Sequence, residues 1–266
     1  MMEQHWHIVG LGWLGSAIAK ELFARKMRVS GTCRSKEKAM ALQADMPSLE
    51  VTLWNSVTES APHIPPGVTH LVLAIPPSGR DSAQYAAVVM GVVSQLLIAS
   101  PEAKFIFTSS TSVYPEAPGL YDEGGVVQGT GSQVVQAAEY ALRSSWTKHW
   151  IIRLSGLAGY GRVPGRYFAG KPVEGNKMVN LIHRDDIVSF MMQFAAFDHA
   201  LGIVNLSCPK AVTRAALYTL NAQQYGFEMP VFLDSEQEER RIISSRFDLF
   251  ASFTFKYDSP LDFPVQ

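Results

Sequence analysis

Short apolar runs alternate along this chain with segments whose apolar residues recur every three or four positions. His7 to Val9 is a β-rich run, a glycine turn follows, and Leu14, Ile18 and Leu22 then repeat at the spacing of one buried helix face. This is a βα unit. Further strands are predicted at Met27 to Cys33, Glu50 to Trp54, His70 to Ile75, Lys104 to Thr108 and Trp150 to Leu154, with helices at Asp81 to Ala99 and Ser132 to Arg143. Such alternation specifies an α/β fold, a doubly wound parallel sheet with helices on both faces.

After Leu154 the texture changes. Gly156 to Gly175 is crowded with glycine and proline and reads as a long ordered loop. A helix is expected to begin near Asp185, a strand at Ile203 to Leu206 and another helix at Thr213 to Tyr225, and the aromatic tail from Phe247 to Phe263 reads as short packed segments. No internal repeat, low-complexity tract or Ser/Gly linker separates two independent domains.

Composition narrows the function. A chain of 266 residues suits one large domain or a domain with an appendage, and 47% hydrophobic against 18% charged residues excludes a disordered chain. Lys plus Arg number 23 against 24 acids, so no general basic field exists to hold a polyanion, and nucleic acid is not an expected partner. Cys33 and Cys208 are too few for a disulfide framework or a cysteine-rich metal site, and no signal-peptide pattern precedes the first apolar run, so the expected compartment is a reducing cytoplasm. The longest apolar stretch, Ala86 to Ala99, is interrupted by Ser94 and Gln95 and is shorter than the ~20 residues that span a bilayer. It reads as a buried helix rather than an anchor. Because that helix is apolar nearly all round, a homodimer is expected.

The first glycine turn carries the strongest chemistry. Gly10-x-Gly12-x-x-Gly15 lies directly after the first strand and opens the first helix, the context in which this spacing binds a dinucleotide. Gly10 permits the tight turn, Gly12 removes the side chain that would block a pyrophosphate, and Gly15 lets helix and strand pack closely while the helix N-terminus faces the anion. The parallel sheet is therefore expected to be a Rossmann fold, with residues 1–155 as the dinucleotide-binding domain and 184–206 returning to it. Residues 156–183 and 207–266 form a smaller C-terminal substrate-binding region. NAD sites of this kind usually place an acid about 20 residues further on, at the end of the second strand. Here the chain reads Thr32-Cys33-Arg34-Ser35-Lys36. With no acid there, and with Arg34 offering a planar fork for a 2′-phosphate, NADP(H) is favoured over NAD(H), the competing reading being a solvated basic loop.

Four segments together resemble the extended short-chain dehydrogenase/reductase superfamily, the NAD-dependent epimerase/dehydratase family that acts mainly on nucleotide sugars. They are the glycine turn, Phe105-Ile-Phe-Thr-Ser-Ser-Thr-Ser-Val-Tyr114, Arg153-Leu-Ser-Gly-Leu-Ala-Gly-Tyr-Gly161 and Asn180-Leu-Ile-His-Arg-Asp-Asp186. They come in family order, and the likeness runs from about residue 5 to about residue 220. The resemblance implies a small-molecule substrate of nucleotide-sugar type. It also implies that Ser110, placed by matching Val113-Tyr114 to the family's Val-Tyr pair, hydrogen-bonds the reacting oxygen. The expected cofactor contacts are Gly10, Gly12, Trp13, Leu14, Gly15, Arg34, Ser35, Ala74 and Ser109.

Where the chain departs from the family is equally informative. The family's Tyr-x-x-x-Lys puts a phenol and an ammonium on one helix face, the ammonium lowering the phenol's pKa. Aligning on Glu139 places that pair at Gly131 and Val135, neither of which can exchange a proton. Tyr167 to Lys171 repeats the spacing, but Gly170 within it and Pro172 after it argue against a helix. The glycine turn also has the shorter Gly-x-Gly form. The chain thus resembles an atypical branch that keeps the nucleotide site and lacks the standard pair. Tyr114 is then the best remaining phenol for a proton donor, its competing role being an aromatic wall of the cleft. Two functions stay open: an NADP-dependent oxidoreductase or nucleotide-sugar-modifying enzyme of atypical mechanism, and a non-catalytic NADP(H)-sensing protein.

Three other groups bear on the chemistry. Arg153, Arg162 and Arg166 surround the glycine-rich loop and could clamp a substrate phosphate. Asp185 is placed to cap a helix, which favours a structural role for His183, Asp185 and Asp186. His5 and His7 have no third ligand in view and are not read as a metal site.

Overall fold

The computed structural model describes residues 4–125, 131–146, 148–195, 202–236, 239–246, 249 and 253–264. Phe247, the first residue of the expected aromatic tail, lies outside them. The first half of the chain contains β1 (His5–Val9), α1 (Gly15–Ala24), β2 (Arg28–Cys33), α2 (Lys36–Asp45), β3 (Glu50–Leu53), β4 (His70–Leu73), α3 (Ser82–Ala99) and β5 (Lys104–Ser110). Next come β6 (Gly119–Tyr121), α4 (Gln133–Ser145), β7 (His149–Leu154), β8 (Gly156–Ala158), β9 (Pro172–Glu174), β10 (Met178–Val179), β11 (Leu181–His183), α5 (Arg184–Met191) and β12 (Gly202–Leu206). Beyond them lie β13 (Val212–Thr213), α6 (Arg214–Tyr225), β14 (Val231–Leu233) and β15 (Arg240–Ile242).

Among the described residues, seven parallel strands form one sheet in the order β12-β7-β5-β4-β1-β2-β3. This is the doubly wound Rossmann sheet. Alternate side chains along a strand point to opposite faces, so Ile106 joins one core while Phe105 and Phe107 join the other. On one face Ile18 and Leu22 of α1, Leu42 of α2 and Phe190 of α5 pack against Ile8, Val72 and Ile152. On the other, Val89, Val93 and Leu96 of α3 and Leu142 of α4 pack against Leu71, Leu73 and Ile151. With both faces covered, the inner strands are buried along most of their length, and the polar residues they carry, such as His5, His7 and Ser30, bond one another.

Helix α3 is fixed at its start by a reciprocal cap. Gln84 N donates to Asp81 Oδ1 at 2.8 Å and Asp81 N donates to Gln84 Oε1 at 3.1 Å. The helix buries one side in the core but leaves Leu97 and Ile98 exposed, and Tyr140 of the neighbouring α4 is exposed too.

Two details differ from the sequence reading. The segment 156–175 is not simply a loop, because it contains β8, which pairs with β11, and β9, which pairs with β14. Partners this far along the chain leave no mark in local periodicity. The cap of α5 is His183 rather than Asp185: His183 Nδ1 accepts from Asp185 N at 3.2 Å. Asp185 instead lies in the first turn and accepts from Tyr160 and Lys256.

Candidate functional site

The strand order reverses between β1 and β4, whose successors run to opposite edges of the sheet. A crevice opens there beyond the carboxyl ends of the strands, the place where open α/β sheets bind ligands. Gly10 follows β1 at φ +102°, a conformation that favours glycine, and its N–H donates to Thr32 Oγ1 at 3.1 Å. A Cβ on Gly15 would fall 2.1 Å from the Gly10 carbonyl oxygen, so this glycine is dictated by helix-to-turn packing. Gly12 differs. A Cβ there would meet only the Gly10 carbonyl oxygen, at 4.0 Å, so nothing inside the protein forbids a side chain. What it would occupy is the crevice. The N-terminus of α1 has no side-chain cap and no acid in its first turn, so its positive end faces the crevice without a carboxylate of its own helix to neutralise it. These features fit a dinucleotide pyrophosphate.

The crevice consists of two adjoining cavities of about 550 and 510 Å³ that share Gly12, Arg34, Ala74, Ile75 and Pro76. The second extends over β2 and includes Gly10, Thr32, Cys33, Arg34, Ser35, Lys38, Trp54, Ser56 and Arg80. The first extends over β5 and β7 and includes Trp13, Leu14, Tyr85, Thr108, Ser109, Ser110, Val135, Ser155 and Arg162. Every residue expected at the cofactor site lies in or beside this groove, with Gly15 just behind the turn. Among the described residues four cations line it, Arg34, Lys38, Arg80 and Arg162, and no carboxylate does. Arg34 is exposed, whereas Arg80 is held by bonds to Pro77 O at 2.8 Å and Ser56 Oγ at 2.6 Å. Ser35 caps α2 by accepting from Lys38 N at 3.2 Å, and Cys33 is a buried thiol whose pKa burial raises.

Hydroxyls line the β5 end, and their hydrogen bonds sort them. Tyr85 OH donates to Ile75 O at 2.7 Å and Thr108 Oγ1 to Leu73 O at 3.0 Å. Ser109 Oγ donates to Glu139 Oε1 at 2.6 Å. Ser110 Oγ accepts from Ser112 N at 3.1 Å and so keeps its own proton to donate. Ser155 Oγ is buried without a partner among the described residues. Ser110 and Ser155 are therefore the two hydroxyls left with a hydrogen for a ligand. Burial raises the pKa of Tyr85, which keeps its proton.

The structure does not bring Tyr114 to this wall. Its ring is 0% exposed, its hydroxyl lies 2.8 Å from Asp122 O and 2.9 Å from Asn205 Oδ1, and it accepts from Arg153 Nη1 at 2.9 Å. Burial raises its pKa. The candidate proton donor is thus an interior hydrogen-bond node, because the turn after Ser110 directs the chain away from the crevice. Arg153 is also withdrawn from ligands: it is 2% exposed and pairs with Glu139, Nη2 to Oε2 at 2.7 Å and Nε to Oε1 at 3.0 Å. Arg166 stacks on Tyr225 and Phe227 away from the groove.

The positions of the missing pair are equally clear. Val135 lines the cavity with an apolar side chain. Gly131 has φ +57°, and a Cβ there would fall 2.4 to 2.5 Å from the carbonyl oxygens of Ser112, Val113 and Tyr114. No tyrosine fits that backbone. Tyr167 to Lys171 is not helical, having a short 3₁₀ turn at Arg166–Phe168 and Gly170 at φ +65°. His5 and His7 both bond Ser30 Oγ at 2.8 Å, joining β1 to β2.

The sequence reading missed Lys38, Arg80, Tyr85 and Ser155. Ser155 had a readable signal, since it directly follows a buried strand, β7, whose last residue Leu154 pairs with Ser110 of β5. Arg80 had one too, following the Pro76-Pro77-Ser78-Gly79 turn after β4. Lys38 and Tyr85 reach the groove from helices and had none.

Comparison with known proteins agrees with this geometry at the level of fold. No protein-family model matches the chain. It is 31% identical over 272 residues to Protein YeeZ of Escherichia coli K12, covering 97% of this chain and 98% of that protein. This chain belongs to the YeeZ family. Its fold is that of the NAD-dependent epimerase/dehydratases of the extended short-chain dehydrogenase/reductase superfamily. A putative NAD-dependent epimerase/dehydratase from Methylobacillus flagellatus superimposes with TM-score 0.72 at 21% identity, covering 96% of this chain and 94% of that one. A dTDP-glucose 4,6-dehydratase from Bacillus anthracis, determined in complex with NAD, gives TM-score 0.77 at 12% identity, with 99% and 96% covered.

Proposed function

We propose that this protein binds NADP(H) along the crevice and acts as an oxidoreductase or nucleotide-sugar-modifying enzyme without the usual tyrosine and lysine. One observation carries the reading: a single groove runs from a cationic end over β2, across the bare Gly12 and the uncapped N-terminus of α1, to a wall of hydroxyls over β5 and β7. A nicotinamide dinucleotide held there would supply a hydride donor or acceptor. Arg34, with Lys38 and Arg80 beside it, suits a 2′-phosphate, and among the described residues lining this end no carboxylate is present to bond a ribose 2′-hydroxyl. At the other end, Ser110 and Ser155 would donate to and orient a carbonyl or hydroxyl oxygen. Leu154, Leu157 and Val135 would exclude water around it.

A second reading has its own support. Among the residues lining the β5 end no Asp, Glu, His or Lys is present, and the Tyr85 phenol is spent on a backbone carbonyl. A site without a general acid or base suits a non-catalytic NADP(H) sensor. Titration with NADPH and NADH, followed by a panel of carbonyl and nucleotide-sugar substrates at the nicotinamide absorbance band, separates the two. Turnover supports the enzyme, tight binding without turnover across the panel supports the sensor, and failure to bind either cofactor overturns both.

The same reading gives residues 156–183 and 207–266 to substrate binding. It also takes the exposed Met90, Leu97, Ile98 and Tyr140 on α3 and α4 as the contact of a homodimer, and puts the protein with its two free cysteines in the cytoplasm.

A further inference from the structure

Three arginines surround the glycine-rich segment, and the structure leaves one of them for a ligand. We propose that Arg162 takes the anionic group of whatever binds the groove, a phosphate or diphosphate, and that Trp13 holds it in place. The proposal rests on the groove being a nucleotide site, and it adds the residue and the ligand chemistry. Arg153 is excluded by its buried pair with Glu139, and Arg166 by its position on Tyr225 and Phe227. Arg162 lines the cavity alongside Gly12, Ser110 and Ser155, and no carboxylate pairs with it among the described residues.

Its placement is built rather than incidental. The guanidinium carbon lies 4.3 Å from the centroid of the Trp13 ring. That ring is itself fixed, because Trp13 Nε1 donates to Tyr160 O at 3.1 Å across the mouth of the groove. Arg184 lies 5.0 Å from the same ring and 3.8 Å from the Tyr160 ring, and it donates to Trp13 O at 3.4 Å. Two cations thus share one indole beside the bare Gly12, and only Arg184 has an acid as chain neighbour. Burial lowers the pKa of Arg162, with no acid to offset it. A guanidinium held in this way keeps its hydrogen-bonding fork free, the geometry that matches phosphate oxygens.

The anion has two possible sources, the cofactor's own diphosphate and a phosphate on the substrate. The first test uses inorganic pyrophosphate alone, titrated calorimetrically at low salt into the parent protein, Arg162→Ala and Arg166→Ala. Arg162→Ala is expected to weaken binding roughly tenfold or more, Arg162→Lys to fall between, and Arg166→Ala to match the parent. Equal pyrophosphate affinity in the parent and Arg162→Ala, or none in the parent, overturns the proposal. NADPH and adenosine 2′,5′-bisphosphate then separate the sources. If Arg162→Ala weakens NADPH but not the bisphosphate, the anion is the cofactor's diphosphate. If both are unchanged while pyrophosphate binding to the NADPH-saturated protein falls, it is the substrate's. A parent that binds pyrophosphate through Arg162 but binds no NADPH upholds this assignment and removes the cofactor reading instead.

Discussion

Arg153 on β7 clasps Glu139 on α4 through two hydrogen bonds, at 2.7 and 3.0 Å, with both side chains almost wholly buried. The pair joins a longer network. Ser109 donates to the same carboxylate, and Arg153 passes the connection to Tyr114, which reaches Asn205 on β12. Glu139 lies one helical turn beyond Val135, so the helix face that carries a reactive pair in related folds here carries a packing residue and a structural acid.

Removing one member of this pair leaves the other charged and unpaired in the interior, which typically costs about 3–5 kcal/mol. Glu139→Ala and Arg153→Ala are each expected to lower the thermal midpoint sharply, while Glu139→Leu combined with Arg153→Met recovers much of the loss. Chemical denaturation of the four proteins checks this. A single variant as stable as the parent would contradict the burial of the charge.

Tyr114 is expected to matter for stability rather than turnover. Tyr114→Phe keeps the ring in its pocket but strands Arg153 Nη1 and the Asn205 amide oxygen, at a cost of about 1–3 kcal/mol. Affinity for cofactor and any measurable kcat should change little, because the ring does not line the groove. A loss of kcat by about 10²-fold or more with unchanged stability would return Tyr114 to the chemistry.

The glycine turn was legible in the sequence because its geometry is local: three glycines within six residues, between a strand and a helix, have one geometrical consequence. Arg34 was legible for the same reason, since a strand end has few places to put its next side chain. Tyr114 was not. Its burial depends on Asn205, on Asp122 and on the Arg153–Glu139 pair, brought together only when four elements fold against one another. The backbone at Gly131 carries the same lesson, because three carbonyl oxygens that forbid a side chain there belong to a turn nearly twenty residues earlier. A residue-for-residue alignment shows that the tyrosine is missing. Only the backbone shows that it cannot be restored by substitution.

Arg34 supplies a direct test of cofactor choice. A charge-assisted fork to a phosphate is worth about 1.5–3 kcal/mol, so Arg34→Ala is expected to weaken NADP(H) binding roughly 10- to 150-fold and to leave NAD(H) nearly unchanged. Because Lys38 and Arg80 line the same cavity, the residual preference should be lost only when one of them is also replaced. Fluorescence titration with both reduced cofactors measures it. Equal affinities of the parent for NADPH and NADH would remove the basis for the assignment.

The interior also sets a pH dependence. Burial lowers the pKa of His7 to about 3 and of His70 to about 4, and lowers those of His149 and His183 as well. An unfolded histidine titrates near 6.5. Between that value and the folded ones the unfolded chain binds protons that the folded chain refuses, so each imidazole withdraws stability as pH falls below about 6.5. Asp186 acts in the opposite direction. Burial raises it to about 6, so its folded form takes up a proton that the unfolded carboxyl does not take until near 3.9, and it adds stability as pH falls through about 6. Four imidazoles outweigh one carboxyl, and the urea midpoint is expected to drop steadily from pH 7.5 to pH 4.5. Replacing Asp186 with Asn removes the opposing contribution and should steepen that drop. A parent midpoint that rises on acidification, or an Asp186→Asn variant with a shallower dependence, would show that these groups are not held in the protonation states their burial dictates.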